Sequence, residues 1–230
     1  MRVSGESRSL FEDGRVRLLD RCRGLLPLAA TILAVFAIFG SEAAALRRLG
    51  EMSLAWPDFT ALMKFLTSYG NIPFYAVYAA VLLSGLRTGR RRDVCFVLGY
   101  VIFLVVLLMA VDVVKIWVGR PRPGRLGECV AFSLSSAYHS FPSAHMSETV
   151  FTVLPLSWRC RSAGVSLACG VWVAVMGFTR LFLGRHFPTD LLGGAALGML
   201  GALALWRLSA AGGLAVRGSA ERGGACVSQR

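Results

Sequence analysis

The sequence predicts an all-α, polytopic six-helix transmembrane bundle, and three observations predict it. Apolar residues make up 55% of the 230 positions and charged residues only 17%, with a mean hydropathy of +0.60, whereas a soluble domain carries about 25% charge. Six separate stretches come close to the roughly 20 apolar residues that a spanning helix needs. The alternating segments of roughly 10 residues that mark a membrane barrel do not occur, and inside hydrocarbon a span satisfies its own backbone only as a helix. This composition excludes intrinsic disorder, which is poor in apolar residues. The 25 Gly and 8 Pro follow no three-residue period, which excludes collagen.

The first span is expected at about Leu25 to Ala45, the second at Tyr69 to Leu86 and the third at Val94 to Val118. The fourth is expected at Ala144 to Trp158, the fifth at Ala163 to Leu183 and the sixth at Thr189 to Leu208. The fourth is the shortest and carries Glu148 near its start. The first is read as a retained helix, because a cleaved signal has a short apolar core close to the N-terminus. Residues 1–24 form an arm before the bundle at 25–208, and the Gly-, Ala- and Ser-rich residues 209–230 are expected to be a disordered tail.

Six spans put both termini on one side, and the basic residues say which. Of the 25 Lys and Arg, 16 fall on the side of the termini, including the run Arg87-Thr88-Gly89-Arg90-Arg91-Arg92. The positive-inside rule makes that side cytoplasmic. The net charge of +12 is thereby read as cytoplasmic arginine beside anionic lipid rather than as a nucleic-acid surface. The nine remaining cations gather mostly at the ends of the third and fifth spans. The six Cys offer no framework: Cys22, Cys160 and Cys226 fall inside, Cys95 and Cys169 lie within spans, and only Cys129 faces outward. No metal-type Cys/His spacing and no glycine-rich phosphate loop occurs.

All three His fall on the outer side. The loop after the third span begins Lys115-Ile116-Trp117-Val118-Gly119-Arg120-Pro121-Arg122-Pro123 and ends Ser140-Phe141-Pro142-Ser143-Ala144-His145. The fifth span closes on Thr179-Arg180 and continues to His186 and Asp190. This collection suits phosphoryl transfer. Cations and backbone N–H groups neutralise the charge that spreads over the phosphoryl oxygens. Arg supplies a rigid fork and Lys a point charge. Ser143 and Ala144 stand before an apolar helix, whose free N–H groups make an anion site. One neutral His serves as nucleophile and another as general acid. His186 and Asp190 are four apart and share a helical face, where a carboxylate orients an imidazole. Asp112 and Glu148 are costly intramembrane acids, and each stands one turn from a site residue, so both are read as supporting partners. His139 and Arg185 are read as structural, and Arg120, Arg122 and Arg125 have lipid head groups as an alternative. The outer segment from Glu42 to Ser68, with Trp56-Pro57-Asp58-Phe59, is expected to be a loop that caps the site.

At these residues the sequence resembles the type 2 phosphatidic acid phosphatase family, whose motifs are K-x6-R-P, P-S-G-H and S-R-x5-H-x3-D. Lys115 with Arg122-Pro123 matches the first; Pro142-Ser143-Ala144-His145 matches the second with Ala144 for Gly; Thr179-Arg180, His186 and Asp190 match the third with Thr179 for Ser. The resemblance implies an inner-membrane enzyme with its site facing the periplasm and its termini in the cytoplasm. It implies hydrolysis of a lipid phosphate: phosphatidylglycerophosphate, undecaprenyl diphosphate, phosphatidic acid or a lipid A phosphate. It implies His186 as nucleophile forming a phosphohistidine, Asp190 orienting it, and His145 as leaving-group acid and then base. Lys115, Arg122, Ser143, Arg180 and the Ala144 backbone hold the phosphate, with no metal or other cofactor. The implied partners are the lipid substrate and membrane lipids, without nucleic acid. Two other readings are a non-catalytic lipid-phosphate binding or transport protein and a vanadate-dependent haloperoxidase, the latter opposed by the apolar spans.

Overall fold

A computed structural model describes residues 21–125, 132, 134–160 and 162–227. The expectations for residues 1–20 and for Cys129 lie outside the described residues, as do the side chains of Arg125 and of residues 210–227. Eight helices of more than one turn run through the described residues: α1 Leu26–Phe39, α2 Glu42–Ala55, α3 Pro57–Tyr69, α4 Ile72–Thr88, α5 Arg91–Val118, α6 Ala144–Cys160, α7 Ala163–Phe182 and α8 Pro188–Val227. Four segments are long and apolar enough to cross a membrane, or up to five if the bent pair α1–α2 is one span. The chain is a membrane protein. α6, at 17 residues, is too short to be among those segments. Met146, Ser147 and every residue from Thr149 to Trp158 are buried against protein, so the helix meets little lipid and tolerates Ser147, Thr149, Thr152 and Ser157.

The expected first span and outer loop are corrected. Gly40 takes φ 74°, a left-handed-region value that L side chains avoid, and stops α1. Ser41 then caps α2, its Oγ accepting from the Ala44 N–H at 3.2 Å. The two helices meet at a 92° bend. Residues 42–68 are thus α2 and α3 rather than a loop, with Pro57 in the first turn of α3, where its missing N–H costs nothing. The last helix continues to Val227, past the expected end of the sixth span at Leu208.

α6 is the axis of the bundle. α8 lies against it through a glycine stripe: a Cβ at Gly194 would stand 2.5 Å from the Ser143 carbonyl oxygen, and one at Gly198 2.5 Å from that of Ser147. Small residues let membrane helices approach at backbone distance. On another face, α4 and α5 satisfy the polar groups of α6. Thr149 Oγ1 accepts from Asn71 Nδ2 at 3.1 Å. The Tyr78 hydroxyl donates to the Thr152 carbonyl at 3.1 Å and Tyr100 bonds Thr152 Oγ1 at 3.0 Å. Glu148 accepts from Tyr75, so its partner is on α4. The outward face of α5, with Val101, Ile102, Val105, Val106 and Met109 exposed, is the apolar surface a bilayer covers. α5 and α7 end where α6 and α8 begin, so residues 119–125, 134–143 and the turn 183–187 come together at one end of the bundle.

Candidate active site

The sequence at this end stops helices and ties their ends together. Gly119 ends α5 at φ 59°, and Pro121 and Pro123 cannot resume it. The returning chain is pinned by hydrogen bonds from Ser140 N–H to the Arg120 carbonyl at 3.0 Å and from Arg122 N–H to the Ala137 carbonyl at 2.9 Å. Ser143 N–H donates to the Asp190 carbonyl at 3.0 Å, which joins the start of α6 to the start of α8.

His186 is 3% exposed and Asp190 fully buried. The His186 Nδ1 lies 2.8 Å from the Ser140 carbonyl oxygen and 3.5 Å from Asp190 Oδ2. Both neighbours are acceptors, so Nδ1 carries the proton and Nε2 keeps its lone pair. The Asp190 carboxylate accepts from Ser140 Oγ at 2.5 Å, from Phe187 N–H at 2.9 Å and from Arg120 at 2.6 Å. Asp190 therefore holds the imidazole partly through Ser140, a residue that sits in none of the three sequence motifs. Burial is the largest influence on His186 and lowers its pKa below the ordinary imidazole range. Its bond to Asp190 opposes this, and the charges of Arg180 and Arg122 reinforce it.

His145, the second residue of α6, is half-buried, and its ring makes no hydrogen bond among the described residues. The charges of Arg180, Lys115 and Arg122 and the ring of His186 all act on it, so these groups lie within electrostatic reach of the ring. Ser143 is fully buried before α6, with its Oγ 3.4 Å from the Met146 N–H. The first N–H groups of α6, on Ala144 and His145, have no acceptor within the helix.

The cations differ in their partners. Lys115 Nζ is bonded to Asp112 at 2.9 Å. Arg122 Nε donates to the Ser136 carbonyl at 3.0 Å. Arg180 is 8% exposed, donates to Thr67 Oγ1 on α3 at 3.0 Å, and has a buried Nε with no partner among the described residues. Neither Arg122 nor Arg180 has an acidic partner among the described residues. Arg185 is exposed, and its backbone N–H caps α7 through the Arg180 carbonyl at 3.0 Å. His139 closes the 3-10 turn Ser136–Tyr138 with its backbone N–H. Chemically the site offers an imidazole lone pair, a second imidazole, helix N–H groups and guanidinium donors. No group of His, Cys, Asp and Glu arranged to hold a metal occurs among the described residues.

Motif spacing did not reveal Glu42, Thr67, Ser140 or the bonded role of Arg120. Glu42 and Thr67 lie on the helices expected as loop. The stop-and-start signal Gly40-Ser41-Glu42 was the one cue to the first of them.

The family model of the PAP2 superfamily matches residues 75–212, 60% of the chain and all three motif stretches. The chain belongs to the PAP2 superfamily. Among similar proteins is the lipid A 1-phosphatase of Rhizobium johnstonii, 32% identical over 159 residues, covering 60% of this chain and 62% of that one. The chain thus spans somewhat less than two thirds of that relative's length. The undecaprenyl-diphosphatase of Bacillus subtilis is 25% identical over 154 residues, covering 65% of this chain and 74% of the other. The crystal structure of a transmembrane PAP2-type phosphatidylglycerolphosphate phosphatase from Bacillus subtilis matches with TM-score 0.55 at 21% identity, covering 82% of this chain and 94% of that one. That likeness shows the PAP2 membrane fold. Glu42 and Thr67 both precede the part matched to the superfamily.

Proposed function

We propose that this PAP2 superfamily member is an integral-membrane phosphatase that hydrolyses a lipid phosphate monoester or diphosphate through a phosphohistidine. One observation carries the reading. The His186 Nδ1 is committed to the Ser140 carbonyl beside Asp190, while Arg122 and Arg180, whose charges act on the same imidazole, have no acidic partner among the described residues. A nucleophile with its lone pair free thus faces a cation pair whose charge matches a phosphate dianion. The relatives named above are phosphatases of lipid phosphates.

In the first step His186 Nε2 attacks phosphorus and the bond from phosphorus to the lipid oxygen breaks. His145 gives its proton to that oxygen as it leaves. Asp190 balances the positive charge that the imidazole gains. Arg122, Arg180, Lys115, Ser143 and the Ala144 backbone hold the phosphoryl oxygens. In the second step His145 takes a proton from water, the water oxygen bonds to phosphorus, the P–N bond breaks, and inorganic phosphate leaves with His186 restored. The excess of Lys and Arg on the side of the termini supports an inner-membrane placement with a periplasmic site. Purified protein should release phosphate from at least one of phosphatidic acid, phosphatidylglycerophosphate, undecaprenyl diphosphate and a lipid A phosphate. Release from none of them, or unchanged release by His186→Ala, would overturn the reading.

A further inference from the structure

We propose that Glu42 and Arg120 are positioning residues that set the state of the nucleophilic imidazole by sharing out the charge of Asp190. The inference takes its interest from the role proposed for His186, but the geometry behind it is independent of any activity. Asp190 is fully buried, and Arg120 is the one fixed cation bonded to it among the described residues, at 2.6 Å. A buried carboxylate needs such a partner. Arg120 does not belong to Asp190 alone. Its NH2 donates to Glu42 Oε2 at 3.1 Å, its NH1 also donates to Thr189 Oγ1 at 2.7 Å, and its guanidinium lies 4.2 Å from the centre of the Phe187 ring. The other oxygen of Glu42 accepts from the Thr189 N–H at 2.9 Å, in the first turn of α8. The guanidinium is therefore held between two carboxylates, one on α2 and one on α8, and is oriented by both.

This arrangement divides one positive charge between a carboxylate that faces the imidazole and one that does not. With Glu42 in place, part of the charge of Asp190 stays available to His186. Without Glu42, Arg120 neutralises Asp190 more completely. Without Arg120, Asp190 acts on His186 undivided. The other groups facing His186 are Arg180 from α7, Arg122 from the loop and His145 from α6, and none of them is altered in either case. Glu42 reaches this position because Gly40 and Ser41 break the first span, and it lies outside the stretch matched to the superfamily. The bend thus does more than shape the bundle: it delivers an acid to the back of the nucleophile.

The test titrates the imidazoles directly. The chain has three His, so 15N-labelled histidine in purified full-length protein gives few signals, and His186→Asn identifies that of His186. Arg120→Gln should raise the His186 titration and Glu42→Gln should lower it, each by roughly half to one pH unit. The double variant should return toward wild type. In turnover of one lipid phosphate, each single variant should lose about tenfold in kcat with KM within about twofold, because neither side chain touches substrate. Glu42→Asp, which keeps the charge, should keep the wild-type titration and serves as the informative variant if Glu42→Gln does not fold. Shifts in the same direction, or none, would overturn the proposal, since a packing role predicts no opposition of sign. A rise in KM at constant kcat for Arg120→Gln would overturn it too, by placing Arg120 on the substrate. The opposed shifts in a protein that hydrolyses no lipid phosphate would sustain the positioning role and overturn the phosphatase reading instead.

Discussion

The two ends of α6 both gather arginine, and they dispose of its charge in opposite ways. At the far end Arg21 lies 5.6 Å from the ring centres of both Trp158 and Trp206, and the Trp158 indole N–H donates to the Arg21 carbonyl at 3.3 Å. Arg159 is bonded to Asp93 at 2.7 Å and lies 4.8 Å over Phe96. At the site end Arg122 and Arg180 have a carbonyl and a hydroxyl for company. The lesson is one of charge balance. A cation covered by aromatic faces or matched by a carboxylate is part of the scaffold. A cation with only neutral partners among the described residues is, on the function proposed above, the one open to an anion from outside. Arg120, over Phe187 and between Asp190 and Glu42, falls with the scaffold although it stands in the site.

The largest effect expected on this contrast is that of His186→Ala, which should lower turnover on every substrate by roughly 10⁴-fold or more and abolish acid-labile phosphoenzyme. Phosphoenzyme surviving in that variant would move the nucleophile elsewhere. His145→Ala should cost roughly 10²–10⁴-fold on phosphatidic acid, whose alkoxide leaves poorly. The cost should be smaller on undecaprenyl diphosphate, whose leaving group is a phosphate ester of low pKa. Equal losses on both would reduce His145 to holding phosphate or water.

The arginines test the contrast itself. Arg122→Gln and Arg180→Gln should each lower kcat/KM by about 10²–10³-fold with little change in melting temperature. Arg159→Gln should do the reverse, leaving kcat/KM within a few-fold while Asp93 loses its partner at a cost of about 3 kcal/mol or more in stability. Loss of activity without loss of stability in Arg159→Gln would erase the distinction between the two ends. Activity should persist in excess chelator, since Lys and Arg supply the charge that a metal would otherwise bring; loss restored by magnesium would oppose this.

The smallest effect concerns pH. Burial holds the His186 pKa down, so the neutral imidazole persists below the ordinary value of about 6.5. The acid limb of kcat/KM assigned to His186 should lie below that value, and Asp190→Asn should move it further down. The same shift affects stability. Above about pH 6.5 neither state binds the proton; as pH falls toward the folded pKa the unfolded chain binds it first, and stability declines. An acid limb above that value would contradict the buried, neutral ring.

Motif spacing made much of the site legible. Lys115, Arg122, His145, Arg180, His186 and Asp190 stand at offsets that phosphoryl chemistry and the family pattern share, and the structure sets the charged ones within electrostatic reach of His145 or His186. The supports were hidden because a motif records residues near in sequence, while Ser140, Thr67 and Glu42 reach the site from other elements. Glu148 illustrates the limit: three residues after His145, it looked toward the site, yet its partner is Tyr75 on α4.

Hydropathy by itself determined that this chain is a membrane helical bundle, because a hydrocarbon slab imposes a length and a composition on whatever crosses it. It missed α2 and α3, which lie where polarity marked a loop, while it placed the start of α6 at Ala144, where the structure has it. Which arginines meet a carboxylate or an aromatic face, which carbonyl sets the tautomer of His186, and that Glu42 stands behind Arg120 were decided by tertiary structure alone. Each depends on which polar groups meet after burial, and burial energetics are settled between elements rather than along the chain.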